Sequence, residues 1–377
     1  MAHAYTPGLK VAPRTLVKKE RRLPLKGNIT VKKGDKVTSD TVVARTELPG
    51  NVTPMNIVNT LSITPEELDE VMFKKEGDKV EKGEMMAQTK GFFGYFKSAV
   101  NAPVSGTIES ISEVTGQVII RQAPIPVEMK AYIDGVIDEI MPEEGVILGS
   151  EAAFIQGIFG IGGETEGELK FVADDISAVL DENKIDDSLK GKIIVGGSLV
   201  KKEAIDKAVK CGVKGIICGG IDAQDLKEVL GYDIGVAITG HEEIGLTVVV
   251  TEGFGQINMA QKTFELLKEN EGKKASINGA TQIRAGVMRP EIIITLNVPD
   301  DLNSVKINES SEAGGMNKGD SLRVIRGNHF GEIVEVTDLP VELTVVDSET
   351  KVRVVEVQLG SGEKLLLPRA NVETIEK

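Results

Sequence analysis

The chain has no tryptophan, three histidines and two cysteines in 377 residues, and only 4% of its residues are aromatic. Two cysteines exclude a disulfide framework. Cys211 and Cys218 are too far apart for a C-x-x-C site, so they read as reduced, buried thiols. His241 stands beside Glu242 and Glu243 with no second histidine or cysteine near it, which argues against a metal site. A Ser/His/Asp arrangement would need Ser198, His241 and Asp222 to converge, and no G-x-S-x-G elbow supports one. No apolar run approaches the length of a membrane span, and the N-terminus lacks a signal-peptide apolar stretch. These absences predict a cytoplasmic protein with no bound cofactor.

What the chain has is glycine, 41 residues against 14 prolines, in a sequence that is 41% hydrophobic. Many short turns between aliphatic strands produce that profile, and the length suffices for two to four domains.

Charge is unevenly placed. Residues 1–36 carry ten Lys/Arg against Glu20 and Asp35, whereas residues 134–187 carry fifteen Asp/Glu against Lys170 and Lys184. A basic arm seeks nucleic acid, anionic lipid or an acidic protein surface. With so acidic a stretch on the same chain, the protein surface is the nearest candidate, within one molecule or between copies.

Six regions follow: a basic arm (1–23), a β domain (24–150), an acidic Gly-rich connection (151–190), an α/β domain (191–298), a polar linker (299–318) and a small β domain (319–377). In the first β domain "VKKGDKVTSD" (31–40) and "FKKEGDKVEKGE" (73–84) are a near-repeat, as are "APVSGTIESI" (102–111) and "AYIDGVIDEI" (131–140). Alternating apolar positions after a turn glycine are half-buried strand. Thr64 opens the one helix expected here, with Pro65 at its first position and acids in its first turn.

On "GDKVEKGE" and "APVSGTI", residues 70–150 resemble a barrel-sandwich hybrid, the fold of biotinyl and lipoyl carriers, which also opens the C subunit of Rnf-type electron-transport complexes. A carrier presents a lysine on a tight turn within Met-Lys-Met or Asp-Lys-Ala. Here Lys90 and Lys97 flank "GFFGYF" instead, so the resemblance implies the fold without the carrier chemistry. Phe92, Phe93, Tyr95 and Phe96 are four of fourteen aromatics within five residues. On a hairpin tip they form an apolar patch suited to contact with another subunit or domain. "GIFGIGGE" is similar to the glycine-rich turn after the barrel in the Rnf-type subunit, which makes Gly160, Gly162 and Gly163 phosphate candidates. Glu164, Glu166 and Glu168 follow at once and would repel a diphosphate, and that subunit's cluster cysteines are absent.

The α/β domain alternates short aliphatic strands with amphipathic helices, the pattern of a Rossmann-like parallel sheet. Ligands bind such sheets beyond the strand C-termini. The candidates there are Gly196, Gly197, Ser198, Gly219, Gly220, Asp222, Glu252 and Gly253, joined by Thr281, Arg284 and Arg289 from the following loop. No G-x-G-x-x-G or P-loop is present.

The last region, "GDSLRVIRGNHFGEIVEV" onward, resembles a KOW domain, an SH3-like barrel of transcription-elongation factors and ribosomal proteins. The resemblance implies RNA or polymerase binding through Arg323, Arg326, Lys351, Arg353 and Arg369. Seven Lys/Arg against eleven Asp/Glu in 319–377 disfavour nucleic acid. The combined expectation is a non-catalytic assembly or adaptor protein that self-associates or docks on a larger complex. A small-ligand-binding accessory subunit beside redox machinery, or an RNA- or ribosome-associated factor, are the alternatives.

Overall fold

The runs "KIIV", "GIICGGI" and "TVVV" lack the in-out polarity of a half-exposed strand, and the reason is that both faces are covered. The structure, a computed structural model, describes residues 9–90, 97–232, 239–282, 288–305, 316–325, 329, 332–345 and 351–374. Lys192–Val195, Gly215–Ile221 and Thr247–Phe254 lie side by side and parallel, next to Glu164–Phe171. Their side chains alternate between two cores. Ile194, Ile216, Cys218, Val248 and Val250 face Ala204, Ile205 and Ala208 of the helix Lys202–Cys211 and Leu226 of the helix Ala223–Leu230. Ile193, Val195, Ile217 and Val249 face Leu266 and Leu267 of the helix Gln261–Glu269. The first two helices stop at Gly212 and Gly231, both in the left-handed conformation that an L side chain resists.

The parallel strands are one part of a 13-stranded mixed sheet. Beyond Glu164–Phe171 it continues antiparallel through Lys274–Asn278, Glu291–Asn297, Gly145–Gln156, Gly135–Met141 and Lys36–Val37. Two expectations change here. Where the charge pattern predicts a basic arm, Val11–Arg22 is a 12-residue strand paired antiparallel along Gly145–Gln156. Where an acidic connection is expected over 151–190, Phe159–Ile161 and Glu164–Phe171 are strands of the same sheet. On Glu164–Phe171 the charged positions alternate with buried Leu169 and Phe171; on Val11–Arg22 Lys18, Glu20 and Arg22 are exposed, while Lys19 and Arg21 fall at the alternate positions with buried Val17.

The first β region is built as one copy of a motif nested within another. Residues 34–46 and 77–89 match position for position, as do 131–137 and 102–108. Lys32 N–H and Lys75 N–H donate to Asp35 and Asp78 Oδ2, both at 2.8 Å. Gly34 and Gly77, each at φ +89°, donate to Ile137 O and Ile108 O, both at 2.8 Å. Val37 pairs with Gly135 as Val80 pairs with Gly106. Ser39 N–H donates to Asp134 Oδ1 as Lys82 N–H does to Ser105 Oγ, again at 2.8 Å. The matched apolar positions are buried in both copies: Val37 and Val80, Val43 and Met86, Ala44 and Ala87, Ile137 and Ile108.

The outer copy closes with Val42–Leu48 antiparallel to Ile125–Lys130, Leu48 opposite Ile125. All of the inner copy lies between those two residues. The outer copy shares its core with the central sheet through Val17, Val146, Leu148 and Ile293, whereas among the described residues the inner copy's core contains none before Met55 or after Ile120. The neck between them is a tight backbone crossing: a Cβ on Gly50 would stand 2.0 Å from Gln122 O. Thr64 and Glu67 form a capping box before a 3-10 turn (Pro65–Glu67) and a single helical turn (Leu68–Val71), and Ile57–Leu61 is a second short helix.

The equivalence predicts matched losses. Asp35→Ala and Asp78→Ala each remove the same turn bond, and each is expected to cost about 1 kcal/mol. Urea unfolding of both variants checks it. A clear loss at one site with none at the other would break the equivalence.

Six described strands between Ser321 and Thr374 form a separate antiparallel sheet around Leu322, Val324, Val334, Val336, Val355, Val357 and Val372. The whole is a mixed α/β, strand-rich protein. Among the described residues no helix is long and apolar enough to cross a membrane.

Candidate functional site

The C-terminal ends of the parallel strands are where the sequence places a ligand, and the chain packs against itself there. Gly196 N–H donates to Ile217 O and Gly219 N–H to Gly197 O, at 2.8 and 2.7 Å. A Cβ on Gly220 would stand 1.9 Å from Gly255 O, and one on Gly219 2.2 Å from Ile257 O. These glycines let backbone approach backbone. Ser198 is fully buried, and its hydroxyl donates to Ser177 O at 2.7 Å. Asp222 caps the helix Ala223–Leu230 by accepting from Gln224 N–H at 3.1 Å, and His241 is exposed. No hydrogen bond among the described residues joins Ser198, Asp222 and His241.

Glu252 is the centre of what the edge does hold. It is 3% exposed, accepts from Ala260 N–H at 3.0 Å, and forms a buried ion pair with Arg323 of the C-terminal sheet. Arg323 is 5% exposed. Beside them Glu373, also buried, lies 3.5 Å from Arg289 Nη1. Burial pushes the Glu373 carboxyl above the usual carboxylate range, against the opposing pull of Arg289 and Arg323. The cavity left among Leu9, Val11, Gln156, Glu252, Lys262 and Arg323 is about 20 Å³, room for a single water. Gly253 continues the same strand at φ +147°.

The glycine turn at Gly160–Gly163 is filled in a similar way. Gly162 N–H and Gly240 N–H both donate to Glu242 Oε2, at 2.9 and 2.8 Å, so the chain's own carboxylate stands where an anion would. Gly160 N–H donates to Thr281 Oγ1 at 3.0 Å, and Thr281 is buried and knitted to Thr239. Arg284 lies outside the described residues. A groove of about 570 Å³ runs from Glu242 between the helices Lys202–Cys211 and Ala223–Leu230, lined also by Ile205, Val209, Tyr232 and Ile244.

Of the basic residues read for nucleic acid, Arg323 is spent on Glu252. Arg369 donates to Val354 O and Pro340 O, at 3.0 and 3.3 Å. Arg326 lies outside the described residues, and only Lys351 and Arg353 are exposed. Phe92, Phe93, Tyr95 and Phe96 also fall outside them. The hairpin that leads to them, Met85–Gln88 with Ala99–Asn101, is closed by Thr89 N–H to Ser98 O at 2.9 Å, and Lys90 pairs with Glu70 at 2.6 Å. Cys218 is buried, its thiol pushed up to about 12 by desolvation, which leaves it unreactive.

The basic and acidic stretches meet inside the molecule. Lys18 pairs with Asp138 at 2.8 Å, Lys26 with Glu143 at 2.9 Å and Arg14 with Glu151, while Arg21 grips Glu164 with two bonds of 2.6 and 2.7 Å. Tyr132 stands under this seam. It is buried at φ +72°, a conformation that costs a non-glycine residue of the order of 1–3 kcal/mol. Arg21 and Lys19 lie 5.4 and 5.9 Å from its ring centre. Burial, then Glu291 and Glu164, hold its hydroxyl well above the normal tyrosine range. Sequence reading missed Tyr132. The available signal is its place in the repeat, where the inner copy has Pro103.

No protein-family model matches the chain, and no curated protein matches it. Among the described residues no group of three or more His, Cys, Asp or Glu is placed to hold a metal ion.

Proposed function

We propose that the protein is a non-catalytic assembly or adaptor protein, self-associating or docking on a larger complex. In this reading the nested β region takes the barrel-sandwich hybrid fold, the α/β part is Rossmann-like, and the C-terminal sheet is an SH3-like barrel of the KOW type. The observation that carries it is the closure of the strand-end edge by the chain's own Arg323 on Glu252. The site that would serve a ligand serves to fasten one part of the molecule to another.

The inner β copy is then a head, held at the Gly50 neck, whose own hairpin leads to Phe92, Phe93, Tyr95 and Phe96. Burial of such aromatics is what holds a protein contact together. A ligand-binding accessory role has the 570 Å³ groove in its favour, but that groove is open and carries three carboxylates, Asp206, Glu242 and Glu243, against Lys210. For RNA binding through the C-terminal sheet, Lys351 and Arg353 are exposed without an ion pair among the described residues, whereas the exposed Lys364 is paired with Glu356.

Sedimentation velocity tests the proposal. The full chain is expected to sediment above its 40.4 kDa monomer mass, alone or with its partner complex. Phe93→Ser with Phe96→Ser should weaken that association at least tenfold, equally at low and high salt. A monomer at every concentration that also captures no partner overturns the reading.

A further inference from the structure

The C-terminal sheet leaves one edge bare. Leu343–Val345 is the last strand of its sheet, and among the described residues nothing pairs with its outer side. Leu343 and Val345 are each 57% exposed, and Val341 just before them is 86% exposed. Their cross-strand neighbours are Arg353, opposite Leu343, and Lys351, opposite Val345. Directly opposed residues of an antiparallel pair point to the same face. Further along that strand, at the same alternation, Val355 and Val357 are fully buried in the core. The bare face is therefore a continuation of the core side, apolar and topped by two cations that make no ion pair among the described residues.

A surface with its complement lies on the same chain. The crossover between Phe171 and Lys192 carries Asp174, Asp175, Asp181, Glu182, Asp186 and Asp187 against Lys184 and Lys190. Among the described residues only Asp174 of these carboxylates is in an ion pair, with Lys184 at 2.7 Å. The segment is held in shape by its own turns: Asp175, Asp181 and Asp186 accept from the N–H groups of Ser177, Asn183 and Ser188. Ile176 and Val179 are half-buried between them. Of the other acidic residues in 134–187, Asp138, Glu144, Glu151 and Glu164 pair with cations of the strand Val11–Arg22, Asp134 and Glu166 with Lys274, Glu143 with Lys26 and Glu168 with Lys192.

We propose that the strip of Leu343, Val345, Lys351 and Arg353 docks on the acidic crossover of a second copy of this chain. This rests on the self-associating form of the function proposed above and names its charge-dependent contact. Two different patches meet, so the contact is heterologous and builds rings or open chains. Charge steers the encounter and apolar burial at Leu343 and Val345 holds it. A single-stranded nucleic acid is the poorer occupant, because the strip has two cations and no described aromatic for stacking.

The test is sedimentation velocity of the full chain over a concentration series at about 0.05 M and about 0.5 M salt, a range in which screening shortens several-fold. Wild-type association is expected to weaken with salt. Lys351→Glu with Arg353→Glu should weaken it about tenfold at low salt and abolish the salt dependence, with circular dichroism unchanged because both residues are exposed. Adding Glu182→Lys and Asp187→Lys to that variant should restore association. Salt dependence equal to wild type in the Lys351/Arg353 variant overturns this contact while leaving an assembly held by the aromatic loop. A monomer under all conditions overturns the contact and the self-associating reading together. Binding of a mixed-sequence oligonucleotide that is lost in the same variant would assign the strip to nucleic acid instead.

Discussion

Removing residues 49–124 and joining Leu48 to Ile125 through Asn-Gly is expected to leave a folded, cooperatively unfolding protein. Leu48 and Ile125 are register partners of an antiparallel pair, so a two-residue turn closes the gap without moving either strand. The excised head keeps a core of its own, built on Ile57, Leu68, Met86, Ile108 and Ile120, all essentially inaccessible to solvent. Since the two cores share no residue, the stability of the remaining body should change by no more than about 1 kcal/mol. The head expressed alone should also fold, though marginally, as domains of this size do. Urea unfolding of both fragments, with amide spectra compared against the intact chain, provides the measurement. A body that loses its cooperative transition shows that the head is an integral layer and that the nesting is only topological.

That architecture was half legible. The repeats "GDKV" and "SGTI/DGVI" stand in plain view, because a left-handed turn needs glycine and the capping bond needs aspartate at one fixed spacing. What local patterning does not carry is which halves pair. Val37 with Gly135 and Val80 with Gly106 are pairings across very different sequence separations, and only those separations reveal one copy inside the other. The parallel strands and helices were legible for local reasons: aliphatic runs bounded by glycine, Asp222 as a cap, Gly212 and Gly231 as stops. Val11–Arg22 was not. Its lysines and arginines mask a weak alternation, and its partner Gly145–Gln156 lies more than a hundred residues away. The glycine-rich strand ends were legible as an edge of the sheet, but that the chain's own backbone and Arg323 fill it was not. Nothing in "SLRVIRG" says that Arg323 faces a carboxylate of a distant strand rather than a phosphate. Glycines at strand ends look alike whether they admit a ligand or another stretch of backbone.

Within the cluster at that edge, the two glutamates are expected to respond to the same substitution in opposite directions. Glu252→Gln leaves Arg323 as an uncompensated charge at a site where both partners are almost wholly buried, and removal of one member of such a pair typically costs about 3–5 kcal/mol. Arg323→Met should lose less, because Glu252 keeps the Ala260 N–H bond. Glu373 differs in sign. Its folded pKa lies above the unfolded value, since desolvation outweighs Arg289 and Arg323. Between those two pKa values the folded state holds a proton that the unfolded chain has released, so this group's contribution to stability is present at acid pH and is lost as pH rises through the window. Above that window the ionised Glu373 is a cost, and Glu373→Gln, which keeps shape and volume, should there leave stability unchanged or raise it. Urea midpoints of wild type, Glu252→Gln and Glu373→Gln at about pH 5 and about pH 7 separate the two. The Glu373 variant should lose its share of the pH dependence, while the Glu252 variant stays destabilised at both values. Equal losses from the two substitutions would mean that Arg323 is shared evenly between the carboxylates. The Glu252–Arg323 pair would then no longer be the bond that fastens the C-terminal sheet over the strand ends.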